Sequence, residues 1–254
     1  MKKPEFYRIG KVPVHITSVP DAGARILAAI AAGETGYVCV SNMRTVVAAN
    51  RDPEYLDVME HSLLNVPDGT PLVWCGKAWG LKNVQRVVGF DVFTELLKAD
   101  VPQFFLGDTD EVLSALTGKV SSEGTRVAGA YSPPFVPLEE YDLQGIADLI
   151  NASGARLVWT SLRAPKQDLL AARLMPYLND GIVLVGVGAA FRLYLGEYEL
   201  DRGFLQKMGL GGLKMLRNTT FWKELKWYVS HGFHLLGYLC SIFWKRLNGK
   251  TCEV

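Results

Sequence analysis

Residues 37–42, Tyr37-Val-Cys-Val-Ser-Asn42, decide the fold. The first four residues are apolar and predict a short buried strand. The last two are polar and stand at the carboxyl end of that strand. Asp52-Pro53 then predicts the start of a helix, because Asp is a favoured N-cap and Pro is favoured at the first helical position. A strand with a polar end, followed by a helix, is the beginning of an α/β unit.

A second polar segment, Val66-Pro-Asp-Gly-Thr-Pro71, follows the helix and predicts a tight turn. Thr70 is then expected to cap another helix, with Pro71 after it. Asp68 is thereby held on a stiff turn, close in sequence to Asn42 at the strand end. Ligands of open α/β sheets bind at that edge, so Asp68 is the acid best placed to act on one. The alternative is that Asp68 is an ordinary turn residue before Gly.

The rest of the chain alternates strands and helices about every 25 residues. Strand interiors are apolar on both faces, which predicts right-handed βαβ units and a mainly parallel, Rossmann-like sheet with helices on both faces. Pro13 makes the segment from Phe6 to Ile16 an edge strand or a hairpin. The further predicted strands and helices are Asp21–Ala32, Val92–Ala99, Gln103–Leu106, Asp110–Leu116, Thr125–Ala130, Leu138–Asn151, Arg156–Thr160, Pro165–Leu178 and Ile182–Val187.

The charge of the chain is divided unevenly. Residues 1–201 carry 18 Lys and Arg against 24 Asp and Glu, a net charge of −6, and residues 202–254 carry 9 against 2, a net charge of +7. We therefore predict an α/β catalytic domain over residues 1–201 and a basic, aromatic, helical appendage over residues 202–254. The basic end is expected to meet an anionic surface or ligand.

The appendage contains a long aromatic stretch, residues 219–247. No residue from Trp227 to Trp244 is formally charged, and Lys223, Lys226 and Lys245 flank this part. Aromatic residues with flanking bases are typical of a helix that lies in the membrane interface, so the appendage is predicted to associate with a membrane. A transmembrane span, an oligomer-interface helix and a core helix stay open as alternatives.

Composition and cysteine usage restrict the class of protein. Apolar residues make up 49% of the chain and charged residues 21%, which is typical of a globular protein. The four cysteines form no C-x-x-C pair and have no histidine at zinc spacing, so we expect a reducing compartment and no structural metal. The N-terminus lacks an apolar h-region, so no signal peptide is expected and the location predicted is cytoplasmic.

Three turns that follow strands favour anion binding: Gly107, Ser161–Ala164 and Gly186–Gly188. Such turns expose backbone N–H groups and helix N-termini to phosphates. None fits G-x-G-x-x-G, so a classical dinucleotide site is not expected. The triplet Asp108-Thr-Asp110 raises the alternative of a metal-dependent nucleotide-sugar enzyme, although Asp110 is also a good first residue of a helix.

Taken together in their order and spacing, several motifs give the chain a resemblance to the WecG/TagA/CpsF family, glycosyltransferase family 26, over roughly residues 35–200. The matching motifs are Asn42 after a strand, Arg51-Asp-Pro-Glu-Tyr55, Pro67-Asp-Gly69 with Val73-Trp74, Arg86-Val-Val-Gly-Phe-Asp91, Phe105-Leu-Gly107, Ala164-Pro-Lys-Gln167 and Gly186-Val-Gly-Ala-Ala-Phe191.

The resemblance implies an inverting glycosyltransferase that moves a sugar from a UDP-sugar to a polyprenyl-diphosphate-linked saccharide, in the synthesis of bacterial cell-surface or exopolysaccharide. It implies that Asp68 is the catalytic base, that Asn42 and Gln167 line the sugar pocket, and that the basic appendage helps the protein to dock peripherally on the inner face of the membrane. No cofactor, metal or nucleic acid is expected, and homo-oligomerisation stays open.

The leaving diphosphate needs positive charge, which strand-end amides and basic side chains can supply without a metal. The candidates for this and for substrate contact are Gly107, Arg163, Lys166, Gly188, Phe191, Arg192 and Arg202. Each basic residue among them has an alternative interpretation as a solvated surface charge.

The chain departs from the family pattern at four places. Val40 stands where the family has Thr, Arg192 where it has Asp, Asp201-Arg202-Gly203 where it has Arg-Ala-Pro, and Gly211-Gly212 where it has Glu-Trp. These departures leave a further alternative open, a binding or scaffold protein that keeps the fold and has lost catalysis.

Overall fold

The computed structural model describes residues 5–198, 233–234, 236–245 and 248. Its centre is a six-stranded sheet in the order β4-β3-β8-β7-β5-β6, in which each neighbouring pair is parallel. Helices cover both faces of this sheet. The predicted α/β class with a mainly parallel, Rossmann-like sheet is confirmed.

The eight strands of the described part are β1 Phe6–Ile9, β2 Val12–His15, β3 Gly36–Ser41, β4 Leu64–Pro67, β5 Gln103–Gly107, β6 Val127–Tyr131, β7 Leu157–Ser161 and β8 Val183–Gly186. Its nine helices before the C-terminal segment are α1 Val19–Ala31, α2 Met43–Ala49, α3 Pro53–Glu60, α4 Thr70–Ala78, α5 Gly89–Leu96, α6 Asp110–Ser122, α7 Leu143–Ser153, α8 Lys166–Leu174 and α9 Ala190–Leu195. Short 3₁₀ turns occupy Leu138–Glu140 and Met175–Tyr177.

The central strands are buried along their whole length, because helices lie against both of their faces. β3, β5, β7 and β8 have no exposed residue, and their apolar runs are the ones that the sequence predicts. One core contains side chains of α1, α5, α6 and α9, and the other contains side chains of α2, α3, α7 and α8. This two-faced burial leaves the ends of the strands as the places where polar groups reach solvent.

The segment around Pro13 is a hairpin with a two-stranded antiparallel sheet of its own, β1 paired with β2. It packs beside β4 through Asn65, a buried residue of that strand. The Asn65 amide donates to His15 Nδ1 at 3.0 Å, and Asn65 Nδ2 donates to the Pro13 carbonyl at 2.6 Å. The hairpin therefore covers the outer edge of the sheet.

Several elements differ from the sequence-based expectations. α2, β4 and α9 were not expected, since each is short and lacks a strong periodic pattern. Thr70 was expected to cap a helix, but the N-cap is Gly69 and Thr70 is the first helical residue. The helix expected over Val92–Ala99 begins three residues earlier, at Gly89, because the apolar residues of that segment pack against α1 and β3.

Part of the predicted appendage is described, and we call residues 233–234 and 236–245 the C-terminal helix. Ile242 is buried, and Tyr238 and Leu239 pack partly against the core. Phe233, Leu236, Phe243 and Trp244 are exposed. Among the residues that the structure describes, no helix is long and apolar enough to cross a membrane. The domain boundary predicted near Arg202 and the Gly211-Gly212 departure lie outside the described residues.

In the core between the sheet and helices α1 and α5, Phe93 is the position where substitution is predicted to lower stability most. Its ring contacts those of Trp159, Phe191, Tyr194 and Phe105, with centroids 5.0 to 6.4 Å apart. Phe93→Ala should lower the free energy of unfolding by about 3–5 kcal/mol, because a fully buried ring leaves a cavity. Urea denaturation checks this, with Leu149→Ala on the exposed face of α7 as a control that should change stability by less than about 1 kcal/mol. An equal effect of both variants would contradict it.

Candidate active site

The carboxyl ends of the parallel strands bring polar residues to one edge of the sheet. β3 ends at Ser41 and is followed by Asn42, and β4 ends at Pro67 and is followed by Asp68. β8 ends at Gly186, next to β3 on its other side. The polar residues that sequence predicts for a site thus come from neighbouring strands.

Asp68 and Asn42 are adjacent in space. The Asp68 amide donates to the Ser41 carbonyl at 2.8 Å, so the turn after β4 is bonded to the end of β3. A Cβ atom at Gly69 would lie 3.5 Å from both the Cα and the Cβ atom of Asn42. The Pro67-Asp-Gly69 turn therefore lies directly against Asn42, and 29% of the Asp68 side chain stays exposed.

Arg86 contacts Asp68, and the sequence analysis did not include it among the site residues. Its Nε donates to the Asp68 carbonyl, and its Nη2 lies 3.3 Å from Asp68 Oδ1. The Val87 amide donates to the Pro67 carbonyl at 2.8 Å, which brings the extended segment before α5 alongside the turn. Eighteen positions separate Arg86 from Asp68, so local sequence does not predict their contact. The one signal for Arg86 was its place in the Arg86–Asp91 motif.

The environment of Asp68 acts on its pKa in two directions. Burial raises the pKa of the carboxyl above its ordinary value, and the nearby Asp91 adds to this. The charge and hydrogen bond of Arg86 lower it, and the net result is a raised pKa. A partly desolvated carboxylate with a raised pKa is a stronger proton acceptor than a solvated one.

Asn42 has a structural function that the local sequence encodes. Its Oδ1 accepts from the Arg44 amide at 2.8 Å and from the Thr45 amide at 3.2 Å, while Thr45 Oγ1 accepts from the Asn42 amide at 3.0 Å. This is a capping box at the start of α2. The cap uses only the carbonyl oxygen of the Asn42 side chain, and its NH₂ group takes no part in it.

Gln167 connects α8 to the turn after β8. Its Oε1 accepts from the Gly188 amide at 3.1 Å, and its side chain is almost completely buried. The Gly188 carbonyl in turn accepts from Ser161 Oγ at 2.6 Å. Gly188 has φ +56°, and no atom lies within 4 Å of the position that a Cβ atom would take, so this turn borders open space.

Arg192 meets Asp108, the residue after β5, in a bidentate ion pair. Its Nε and Nη2 lie 3.1 and 2.5 Å from the two carboxylate oxygens of Asp108, and its Nη1 lies 2.8 Å from Glu197 Oε2. Gly107 precedes this pair, with φ +112°, and a Cβ atom there would lie 2.8 Å from the Ser161 carbonyl oxygen. β5 and β7 therefore approach closely where they end.

The remaining predicted residues lie in different surroundings. Arg163 is exposed in the loop after β7. Lys166 donates to the Val136 carbonyl at 2.5 Å and lies over the Tyr141 ring. Phe191 is fully buried between Phe93 and Phe105, so any effect on a ligand would be indirect. Arg202 lies outside the described residues.

The model of the Glycosyl transferase WecG/TagA/CpsF family matches residues 7–247. The chain belongs to this family. It is similar to the N-acetylglucosaminyldiphosphoundecaprenol N-acetyl-beta-D-mannosaminyltransferase of Bacillus spizizenii (strain ATCC 23059 / NRRL B-14472 / W23), with 28% identity over 196 residues, 74% of each chain. The protein of the same name from Bacillus subtilis (strain 168) is 26% identical over 191 residues, 72% of each chain.

Membership of the WecG/TagA/CpsF family makes the chain a glycosyltransferase. Among the described residues, no group of three or more His, Cys, Asp or Glu residues is arranged to hold a metal ion. Asp108, a candidate in the metal-dependent alternative, has both of its carboxylate oxygens bonded to Arg192.

Arg86→Gln is predicted to raise the pKa of Asp68 further, because it removes the charge that opposes the effect of burial. Carbon-13 NMR titration of the Asp68 carboxyl group measures this directly. Arg126→Gln is the matched control, since Arg126 pairs with Asp100 at 2.9 Å on the exposed surface. A lower or unchanged pKa of Asp68 in Arg86→Gln would show that Arg86 does not control this carboxylate.

Proposed function

We propose that the chain is an inverting glycosyltransferase that moves an N-acetylhexosamine from a UDP-sugar to a polyprenyl-diphosphate-linked saccharide, with Asp68 as the catalytic base. One observation carries the proposal: a partly exposed acid is fixed between the ends of β3 and β4 and is bonded to a cation. The names of the relatives support N-acetylmannosamine as the sugar and N-acetylglucosaminyldiphosphoundecaprenol as the acceptor.

The chemistry needs one proton acceptor and a stabilised leaving group. Asp68 takes the proton from an acceptor hydroxyl, whose oxygen then forms a bond to the anomeric carbon. The bond between that carbon and the diphosphate breaks, and the electron pair leaves with UDP. Because the attack comes from the face opposite to the leaving group, the configuration inverts. The raised pKa of Asp68 suits this task, since a stronger base removes a hydroxyl proton more easily.

Positive charge for the departing diphosphate comes from the same edge of the sheet. The turn after β8 borders open space at Gly188, and the basic side chain of Arg163 is exposed after β7. Arg86 reaches the base itself, and its guanidinium can reorient toward a phosphate oxygen when a donor binds. Such donors stabilise a dianionic leaving group without a metal.

Asp68→Asn should reduce kcat by about 10²-fold or more, because the amide has nearly the same size but cannot take a proton. The assay measures UDP release and sugar transfer with UDP-N-acetylmannosamine and a polyprenyl-diphosphate-linked N-acetylglucosamine. Asp100→Asn, which changes an exposed acid of the Arg126 ion pair, is the control and should keep full activity.

The same assay separates the alternatives. Near-normal transfer by Asp68→Asn would remove Asp68 from the role of base. If the unmodified protein binds UDP but transfers no sugar to any lipid-linked acceptor, the scaffold alternative is correct. Loss of activity in EDTA that Mg²⁺ or Mn²⁺ restores would favour a metal-dependent enzyme.

We further propose that residues 202–254 form an appendage that docks the protein peripherally on an anionic membrane surface, where its acceptor resides. The C-terminal helix supports this with an apolar face. Phe233, Leu236, Phe243 and Trp244 are exposed on one side, while Ile242 packs against the core. Aromatic residues at such positions favour the interface of a bilayer, and the +7 charge of residues 202–254 favours its anionic lipids.

The double variant Phe243→Ser, Trp244→Ser should bind anionic phospholipid vesicles at least about tenfold more weakly, because two interfacial rings are lost. Vesicle co-sedimentation at low and high salt measures this. The intact protein should be released only partly by high salt, since salt screens the charges but leaves the ring contacts. Leu149→Ser on α7 is the control. Equal binding by the double variant would assign docking to other residues.

A further inference from the structure

Asp168 on α8 is a buried acid that the proposed chemistry does not use. Only 2% of the residue is exposed, and its Oδ2 accepts from the hydroxyl of the buried Tyr55 at 2.6 Å. Oδ1 has no hydrogen-bond partner of good geometry among the described residues. A carboxylate buried with one unpaired oxygen opposes folding, and an apolar residue would suit this core better. Asp168 therefore calls for an explanation other than stability.

Asp168 and Gln167 meet beneath the end of β8. A Cβ atom at Gly186 would lie 2.7 Å from Gln167 Nε2 and 3.1 Å from Asp168 Oδ1. The nitrogen end of the Gln167 amide thus lies on the side of Asp168. Its oxygen end accepts from the Gly188 amide at 3.1 Å. A side chain at position 186 would therefore force the Gln167 amide to shift.

The charges of these groups select one orientation of the Gln167 amide. An ionised carboxylate only accepts hydrogen bonds and therefore favours the NH₂ end of an amide. The Gly188 N–H only donates and needs the oxygen end. Rotating the amide by half a turn would bring oxygen against the carboxylate and NH₂ against the Gly188 N–H. Asp168 Oδ1 makes no hydrogen bond of good geometry to Gln167, but its charge favours the orientation of the amide that secures Gly188.

We propose that Asp168, held by Tyr55, is a positioning residue for nucleotide binding. It acts through Gln167, which fixes the turn Gly186–Gly188. Neither Asp168 nor Tyr55 is exposed to a ligand. Gly188 borders open space at the sheet edge, and displacement of a binding turn by about 0.5 Å weakens recognition. The identity of the ligand, uridine diphosphate, rests on the proposed function. The positioning of the turn by Asp168 rests on contacts within the protein.

The proposal implies a dependence on pH. Burial raises the pKa of the Asp168 carboxyl to about 7, against the opposing effects of hydrogen-bonding groups on Tyr55, Gln167 and Cys39. The titratable groups that face it are Tyr55 from α3 and Tyr37 and Cys39 from β3. As the pH falls through about 7, Asp168 gains a proton and can donate as well as accept. The preference for one Gln167 orientation then weakens, and UDP affinity should fall.

Ionisation of Asp168 should favour UDP binding but lower the stability of the fold. Because the pKa of Asp168 is higher in the folded than in the unfolded chain, the folded state binds more protons, and stability falls as the pH rises toward 7. Above that pH the ionised carboxyl opposes folding. Asp168→Asn is therefore expected to leave the Tm at pH 8 unchanged or higher, although it weakens binding.

The test compares Asp168→Asn and Tyr55→Phe with the unmodified full chain. Isothermal titration calorimetry with UDP between pH 6 and 8 gives Kd, and thermal unfolding gives Tm. Asp168→Asn should weaken UDP binding by about tenfold at pH 8 and reduce its dependence on pH between 6 and 8 to the part that comes from the phosphate of UDP itself. Tyr55→Phe should weaken UDP binding by about threefold.

Tyr37→Phe is the matched control, because Tyr37 is, like Tyr55, a buried tyrosine near Asp168, but its hydroxyl donates to the Val58 carbonyl at 2.7 Å and not to Asp168. It should lower the Tm and leave the affinity for UDP unchanged. If Asp168→Asn lowers the Tm at pH 8 but keeps the affinity and its pH dependence, Asp168 is only structural and the proposal is overturned.

A second measurement needs no ligand. The Gly188 amide exchanges its proton with solvent at a rate that NMR of the nitrogen-15-labelled chain can follow, and Asp168→Asn should accelerate that exchange at least about tenfold, because the bond to Gln167 is weakened. If the unmodified protein does not bind UDP at any pH, the proposed function fails. The exchange rate of the Gly188 amide then tests by itself whether Asp168 positions the turn. Unchanged exchange at Gly188 would then overturn it.

Discussion

The site depends on one hydrogen bond between two strand ends, from the Asp68 amide to the Ser41 carbonyl. β3 and β4 are paired in parallel with Ser41 opposite Pro67, the last residue of β4. Successive residues of a strand point their amides to opposite sides, so Asp68, one residue past β4, donates to β3, while the Pro67 carbonyl faces away from β3 and accepts from the Val87 amide. This bond keeps Asp68 beside the end of β3 while the chain turns into α4. The acid is therefore positioned by the sheet, although it belongs to a loop.

The order of the strands determines what else reaches this position. β3 is flanked by β4 on one side and by β8 on the other, although β8 comes more than 140 residues later in the chain. Asp68, Asn42 and Arg86 therefore occupy the β3–β4 end of the edge, and the glycine turn after β8 adjoins it. A point where the order of the strands reverses, as it does between β3 and β8, is where open α/β sheets bind ligands.

The sequence predicted the parts of the structure that depend on local pattern. Buried runs such as Tyr37–Val40 predicted the parallel sheet, and Asp68 was predicted to lie on a turn close in sequence to Asn42. The pairing of β3 with β4, which brings the two residues together in space, was not predicted, because β4 was not. Arg86 was not predicted as a site residue, since its contact with Asp68 depends on the path of an extended segment. The burial of Gln167 could not be read from its motif either, because it results from packing of α8 beneath β8. α2 was missed although Asn42 and Thr45 carry the signature of a capping box.

The ion pair of Asp108 and Arg192 shows how the fold accommodates a departure from the family pattern. The sequence placed Arg192 among the cations for a diphosphate, and a bidentate carboxylate now neutralises it, with Glu197 as a second partner. Asp108 adopts φ +61°, an unfavourable conformation for a residue with a side chain, and Ser132 Oγ bonds to its carbonyl at 2.7 Å. Asp108 is thereby held in place to receive the guanidinium. Because the pair carries little net charge, Arg192 is less available to a phosphate than its residue type suggests, and for the proposed function Arg86 and Arg163 are the better candidates.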